Sequence, residues 1–159
     1  MVVRMTPAIV AAQRAKVWFK VREYPHDPFA PSYGLEAAEA LGLDPAVVFK
    51  TLVAAADETR LVVALVPVAH TLNLKALAAA IGAKRTDMAA AAAAERATGY
   101  VLGGISPLGQ RKRLPTVIDA SALTLETMYV SAGRRGVEIA LRPPDLIRLC
   151  NAITAAIAR

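Results

Sequence analysis

Bare backbone and positive charge meet in the segment Thr98–Pro115. Gly103-Gly104 has no side chains, so a ligand can approach its backbone closely, and its two N–H groups could hold a carbonyl oxygen or an oxyanion. The same pair also suits a tight turn with positive φ. Ser106-Pro107 sets the chain direction, and Arg111-Lys112-Arg113 follows at once. Amides beside guanidinium groups fit an anion or a polarised carbonyl, so one wall of a site is expected here. Ser131-Ala132-Gly133-Arg134-Arg135-Gly136 repeats the pattern, and two such turns favour a phosphate-rich ligand. Lys50-Thr51 lies between Val47-Val48-Phe49 and Leu52-Val53. Apolar flanks of this kind disfavour the charged form of a lysine and make it tunable. Its functional reading is a cation set over a phosphate or a reacting ester; the alternative is a lysine snorkelling from a strand edge.

The usual nucleophiles and bases fit less well. Gly104-Ile-Ser106-Pro-Leu-Gly109 puts its second glycine one position too late for a nucleophile elbow, so Ser106 reads as a turn residue. His26-Asp27 could be a general base, but Tyr24-Pro25 and Pro28 around it equally suit a structured loop. His70 reads as surface ahead of a helix. Cys150 falls on an apolar stripe and reads as core packing.

These groups need a scaffold, and 159 residues with 55% hydrophobic content suffice for one domain with a sizeable core. Alanine inflates that content, and the run Met88–Ala94 reads as plain helix. No apolar stretch nears the roughly 18 residues of a membrane span; the densest, Leu61–Ala69, is broken by Pro67. A lone Arg4, an early Pro7 and no apolar core region argue against a signal peptide. One cysteine and two histidines leave no disulfide and no multi-cysteine or zinc site, so neither metal nor cofactor is expected, and a reduced, cytoplasmic setting is. Net charge is +6; residues 1–79 carry eight basic and seven acidic groups, residues 80–159 eleven and six. Lys84-Arg85, Arg111–Arg113 and Arg134-Arg135 therefore hold much of the positive excess, as a phosphate-binding surface or as a solvated basic face.

Thr6-Pro7 caps a helix running to about Ala15. Alternation predicts a strand from Val17 through Tyr24, with a loop over Pro25–Pro31. Leu35–Leu41 reads as a helix closed by Gly42, and Asp44-Pro45 as a short helical turn. Phe49–Ala56 and Arg60–Val68 read as strands joined by Asp57–Thr59. Helices are expected over Asn73–Ile81 and Asp87–Ala97, strands over Thr116–Asp119, Met128–Ser131 and Val137–Leu141. Pro143-Pro144-Asp145 opens a last helix, whose stripe Leu146, Leu149, Cys150, Ile153 and Ile157 faces the core. Irregular alternation of short strands with helices argues a mixed-sheet α/β domain rather than a doubly wound one.

Several of these stretches fall in a familiar order: Thr6-Pro7-Ala8, Tyr24-Pro25-His26-Asp27-Pro28, Phe49-Lys50-Thr51-Leu52, Leu72-Asn73-Leu74-Lys75, Thr98-Gly99-Tyr100, Gly103-Gly104-Ile105-Ser106-Pro107-Leu108-Gly109-Gln110 and Tyr129-Val130-Ser131. Over nearly the whole chain the sequence resembles the YbaK/EbsC family of aminoacyl-tRNA deacylases. The resemblance implies a single compact α/β domain spanning 1–159, with a mixed, curved β-sheet and flanking helices, related to the editing domain inserted in bacterial prolyl-tRNA synthetases. It implies deacylation of Cys-tRNA(Pro) in trans, extending to Cys-tRNA(Cys), with prolyl-tRNA synthetase as a partner. Cysteine and proline are close in size, and an apolar pocket gains only roughly 1–3 kcal/mol per methylene of difference, so mischarging needs a second site to clear it.

By the same resemblance Lys50 anchors the 3′-terminal phosphate or ribose, Gly103 places the aminoacyl carbonyl by its backbone, and Tyr24, Thr51, Gly104 and Ser131 bind substrate. Arg111, Lys112, Arg113, Arg134 and Arg135 fall to the tRNA backbone. The family uses no protein nucleophile: the substrate's thiol attacks its own ester and leaves as a cysteine thiolactone. Two departures stand out. Ala132 occupies a position where the family commonly has glycine, and Glu138 one where relatives can have aspartate. The rival readings are a deacylase for Ala-tRNA(Pro) or another mischarged tRNA, and a non-catalytic tRNA- or synthetase-binding module on the same fold.

Overall fold

The computed structural model describes residues 5–30 and 32–159; Arg4 and the last residue of the expected Pro25–Pro31 loop, Pro31, lie outside them. Local chemistry sets most element ends. Helix α1 (Pro7–Ala15) starts where the Thr6 hydroxyl accepts the Ile9 N–H at 3.2 Å and Pro7 pre-sets the first turn. Helices α2 (Tyr33–Leu41) and α3 (Leu74–Ile81) start at Ser32 and Asn73 caps and end at Gly42 and Gly82 in the left-handed region. Helix α4 (Ala91–Thr98) starts at Ala90 with no side-chain cap, and α5 (Pro143–Cys150) opens on two prolines.

Two sheets carry the site. One is antiparallel, in the order β1 (Phe19–Glu23), β7 (Val137–Leu141), β6 (Met128–Arg134). The other is mixed, in the order β4 (Thr86–Met88), β2 (Phe49–Ala56), β3 (Arg60–Pro67), β5 (Thr116–Asp119), β8 (Ile153–Ala155). Strands β2 and β3 form an antiparallel hairpin, while β3–β5 and β5–β8 are parallel. A parallel bridge from Val48 to Tyr129 links the two sheets. The mixed sheet is buried on both faces. Val63 and Leu65 of β3 face the main core with Phe49, Met128, Ile139 and Leu146, while Val62, Ala64 and Val66 pack with Leu77 of α3, Val117 and Ile157. This alternation is the two-residue period of a strand. No helix among the described residues is long and apolar enough to cross a membrane.

The mixed-sheet α/β architecture is the expected one, with a second, antiparallel sheet beside the mixed sheet. Two local expectations need correction. The helix expected over Asp87–Ala97 begins only at Ala91, because Thr86–Met88 instead pairs with Ala54–Ala56 on the outer edge of β2. Asp57 prepares that pairing by accepting the amides of Lys84 and Arg85. The last helix stops at Cys150, where Asn151 turns left-handed at φ 49° and returns its N–H to Arg148 and Ile147. Ile153 then joins β8, and Ile157 packs under α3 rather than on the α5 stripe.

Asp119 at the end of β5 secures this C-terminal path. Its Oδ1 accepts the N–H groups of Ile157 and Ala158, both at 2.9 Å, and its Oδ2 accepts the Ser121 N–H. Burial alone would raise this carboxyl, but the hydrogen bonds from Ser121, Ala158 and Ile157 outweigh it and hold it below its usual range. Asp119→Ala leaves these amides without an acceptor, and urea unfolding at neutral pH should show a loss of about 1–3 kcal/mol. A depressed carboxyl stabilises the fold only while ionised. The gap to wild type should therefore close as pH falls through the lowered value.

Candidate active site

Strand β2 pairs with β3 along its whole length, Phe49 to Ala56, but with β4 only at Ala54, Ala55 and Ala56. Val53 turns its carbonyl outward to the Ala89 N–H at 3.0 Å. By strand alternation Thr51 also turns its N–H and C=O to that outer edge. A cavity of about 350 Å³ occupies the space that β4 does not cover. It is lined by this stretch of β2, the start of α2, the loop around Gly103, the end of β6 and Glu138 of β7.

Lys50, Thr51, Tyr24, Gly103, Ser131 and Arg134 all line this cavity. They come from β2, the chain after β1, the loop after α4, and β6. Lys50 is half-buried, and burial lowers its pKa, as its apolar flanks predict. The Ser131 hydroxyl accepts the Gly133 N–H at 3.1 Å within a bulge of β6 between Ser131 and Arg134. Ala132 fits this bulge without strain: its φ is not positive, it is fully buried, and its carbonyl accepts the Thr6 hydroxyl.

Two buried side-chain polar atoms have no partner among the described residues, Thr51 Oγ1 and Glu138 Oε2, and both residues line the cavity. A buried polar atom without a partner costs free energy, so its position marks where a ligand's polar groups can repay that cost. Burial pushes the Glu138 carboxyl up to about 8, so it is mostly neutral at pH 7. Burial likewise raises the Tyr24 phenol to about 12, with Glu138 adding to the rise when ionised.

The two glycines divide. Gly103 lines the cavity with φ +86°, and among the described residues its N–H meets no acceptor. Gly104 does not line it: its N–H donates to Val101 at 2.9 Å, and it packs against the Arg134–Arg135 backbone. The expectation of two bare amides is thus corrected to one, because the Gly-Gly turn consumes the other. Ser106 is fully buried, and its hydroxyl accepts the Leu108 N–H, as befits a turn residue. Cys150 is buried against the Pro107 carbonyl, and its thiol is pushed up to about 12 by that burial. His26 pairs with Glu36 at 2.9 Å outside the cavity.

Arg111, Lys112 and Arg113 are exposed and line a second cleft, of about 280 Å³, with Gln110 and Thr116. Arg111 also stands beside Gly99, and Gly99 lines a groove with Leu102, Arg134 and Arg135. Leu102 and Arg134 line the main cavity too, so a string of cations leads from it to the second cleft. Tyr33 and the alanines of α4 were not legible as site residues. Glu138 was not singled out as a site residue either, although a signal exists: it is the lone acid in the apolar strand Val137–Leu141.

Residues 31–149 match the aminoacyl-tRNA editing domain family, and the chain belongs to that family. A relative from Enterococcus faecalis (strain ATCC 700802 / V583), provisionally named Cys-tRNA(Pro)/Cys-tRNA(Cys) deacylase EbsC, is 41% identical over 114 residues, 72% of this chain and 70% of that protein. Within the family the chain thus falls in the YbaK/EbsC group whose motifs it carries. The fold is shared with the crystal structure of a protein provisionally described as a trans-editing enzyme for prolyl-tRNA synthetase (TM-score 0.82, 22% identity, 98% of this chain and 99% of that one). It is also shared with a hypothetical protein of known crystal structure (TM-score 0.86, 19% identity, 97% and 100%).

Glu138 yields a pH prediction. The unfolded chain releases this proton near the ordinary value of 4.5, while the folded chain holds it to about 8. Raising pH across that window favours the unfolded state. Thermal melts between pH 5 and 9 should show Glu138→Gln gaining steadily on wild type up to about pH 8 and levelling off beyond. A constant difference across the range would mean that the carboxyl titrates normally.

Proposed function

We propose that this chain is a trans-editing deacylase that clears Cys-tRNA(Pro), with the substrate's own thiol as nucleophile. The observation that carries the reading is the content of the cavity: a partly desolvated cation and one free amide, with no histidine or cysteine beside them. Its hydroxyls belong to Ser32, Thr51, Ser131 and the tyrosines, neither histidine nor cysteine lines it, and its one acid is mostly protonated at neutral pH. No histidine stands beside these hydroxyls to activate a serine or threonine, and in this reading Lys50 acts as a cation rather than a base. Such a site suits a substrate that brings its own nucleophile and needs only orientation and charge stabilisation.

The chemistry balances within the substrate. The cysteinyl sulfur attacks its own ester carbonyl, a C–S bond forms and the C–O bond to the terminal ribose breaks. The thiol proton ends on the ribose oxygen, and the products are free tRNA and cysteine thiolactone. In this reading Lys50 anchors the 3′-terminal phosphate or ribose, and the Gly103 N–H meets the carbonyl oxygen as charge develops on it. Tyr24, Thr51 and Ser131 line the aminoacyl pocket, whose volume of about 350 Å³ is at the small end of ligand sites. Arg134 and Arg111–Arg113 follow the phosphate backbone. The chain 1–159 works as one editing domain in the cytoplasm, without metal or cofactor. Cations of this kind read charge rather than bases, so selectivity for tRNA(Pro) comes from a complex with prolyl-tRNA synthetase.

Side-by-side deacylation of Cys-, Ala- and Pro-tRNA(Pro), with a trap for thiolactone, tests the reading. Only Cys-tRNA(Pro) should be cleared, with thiolactone in the trap. Equal clearance of Ala-tRNA(Pro) would overturn the cyclisation mechanism, and no turnover on any mischarged tRNA would favour a binding module. Lys50→Ala should lower turnover about 100-fold or more while tRNA affinity is nearly kept. Arg113→Ala should instead weaken binding and reduce its salt slope by about 1, with the chemical step unchanged.

A further inference from the structure

Arg135, in the turn between β6 and β7, uses its guanidinium inside the protein. Its Nε and Nη2 both donate to the Leu102 carbonyl, at 3.2 and 2.7 Å. Its Cζ lies 3.9 Å from the centroid of the Tyr33 ring, a stacked cation–π contact. Gly103 fits between the two side chains. A Cβ there would lie 2.5 Å from Arg135 Nε and 2.6 Å from Tyr33 Cδ2, so only glycine allows the approach. The other side of Leu102 is also held, since its N–H donates to Glu95 at 2.9 Å. Tyr33 in turn lies 5.6 Å from the His26 ring, which Glu36 fixes. Three separate pieces of chain, bearing Tyr33, Glu95 and Arg135, therefore meet around the Leu102–Gly103 step.

A trans peptide is planar, and its C=O and N–H point in opposite directions. Holding the Leu102 oxygen toward Arg135 therefore aims the Gly103 N–H away from Arg135. The Gly104 N–H is already taken by Val101, so Gly103 has the only free amide of the pair. We infer that Arg135, stacked on Tyr33, is a positioning residue that fixes the Leu102–Gly103 peptide plane and so aims the Gly103 N–H at the developing oxyanion. The inference rests on the deacylase reading above and removes Arg135 from the tRNA-contacting cations proposed from sequence.

The two roles of Arg135 separate experimentally. Arg135→Lys keeps the charge a phosphate would feel but loses the fork and the flat face. Tyr33→Ala removes the stack and no charge. With saturating enzyme in single turnover on Cys-tRNA(Pro), both variants should slow the chemical step about 10- to 100-fold. Their Kd for uncharged tRNA(Pro) should stay within about twofold of wild type, with the same salt slope. A phosphate contact would leave Arg135→Lys near wild-type rate and give Arg135→Ala a weaker Kd and a shallower slope; that result overturns the inference.

Amide hydrogen exchange provides an arm independent of activity. In Arg135→Lys the Gly104 amide, which closes the turn onto Val101, should exchange about tenfold faster while the β2–β3 amides are unchanged. Unchanged exchange at Gly104 overturns the latch. If wild-type protein clears no mischarged tRNA yet Gly104 responds, the deacylase reading and the catalytic consequence fall while the latch stands.

Discussion

Strand β2 is paired with a neighbouring strand along its full length on one side and over only three residues on the other. An unpaired strand edge is a liability unless something covers it. Here the start of α2, the Gly103 loop and the end of β6 close over it at a distance, leaving a cavity rather than a contact. The shortness of β4 shapes this region. It leaves the outer edge of Thr51 uncovered and the space beside it open, and the half-buried Lys50 and the unpartnered Oε2 of Glu138 both belong to residues lining that space. A β4 extended by a few residues would satisfy the edge and fill the site.

Positive charge is sorted by its partners. Arg85 pairs with Asp87 and Arg148 with Asp145, so neither projects much field. Arg135 is bound to a carbonyl and a ring. Arg111–Arg113 and Arg134 have no such ion pair among the described residues, and they border connected grooves. The net charge of +6 is thus less informative than its distribution, because only cations free of carboxylates can exchange counterions for phosphate.

Where local chemistry decides, the sequence is a good guide. The Gly42 and Gly82 caps, the Thr6-Pro7 start, the β2–β3 hairpin and the strands Thr116–Asp119 and Val137–Leu141 all follow from capping, turn or alternation rules within a few residues. Thr86–Met88 and Ile153–Ala155 were missed for one reason. Each is three residues long and becomes a strand only by joining an edge supplied by distant chain, which no local period records. The site divides the same way. Lys50 and Gly103 stand out by their flanks and by the resemblance. Tyr33 does not, because its meaning lies in a stack with Arg135 from the other end of the chain. Gly104 misled, since a Gly-Gly pair cannot reveal which of its amides the turn will use.

The alanines of α4 carry a consequence of another kind. Ala91 and Ala94 line the cavity with Met88 and Ala89, in a stretch whose composition reads only as helix propensity. Small side chains on that wall leave open the cavity that Lys50 and Gly103 also line, and any methylene added there would take volume from it or strain the core behind it. The least distinctive segment of the chain therefore sets how much room the cavity offers beside the one free amide.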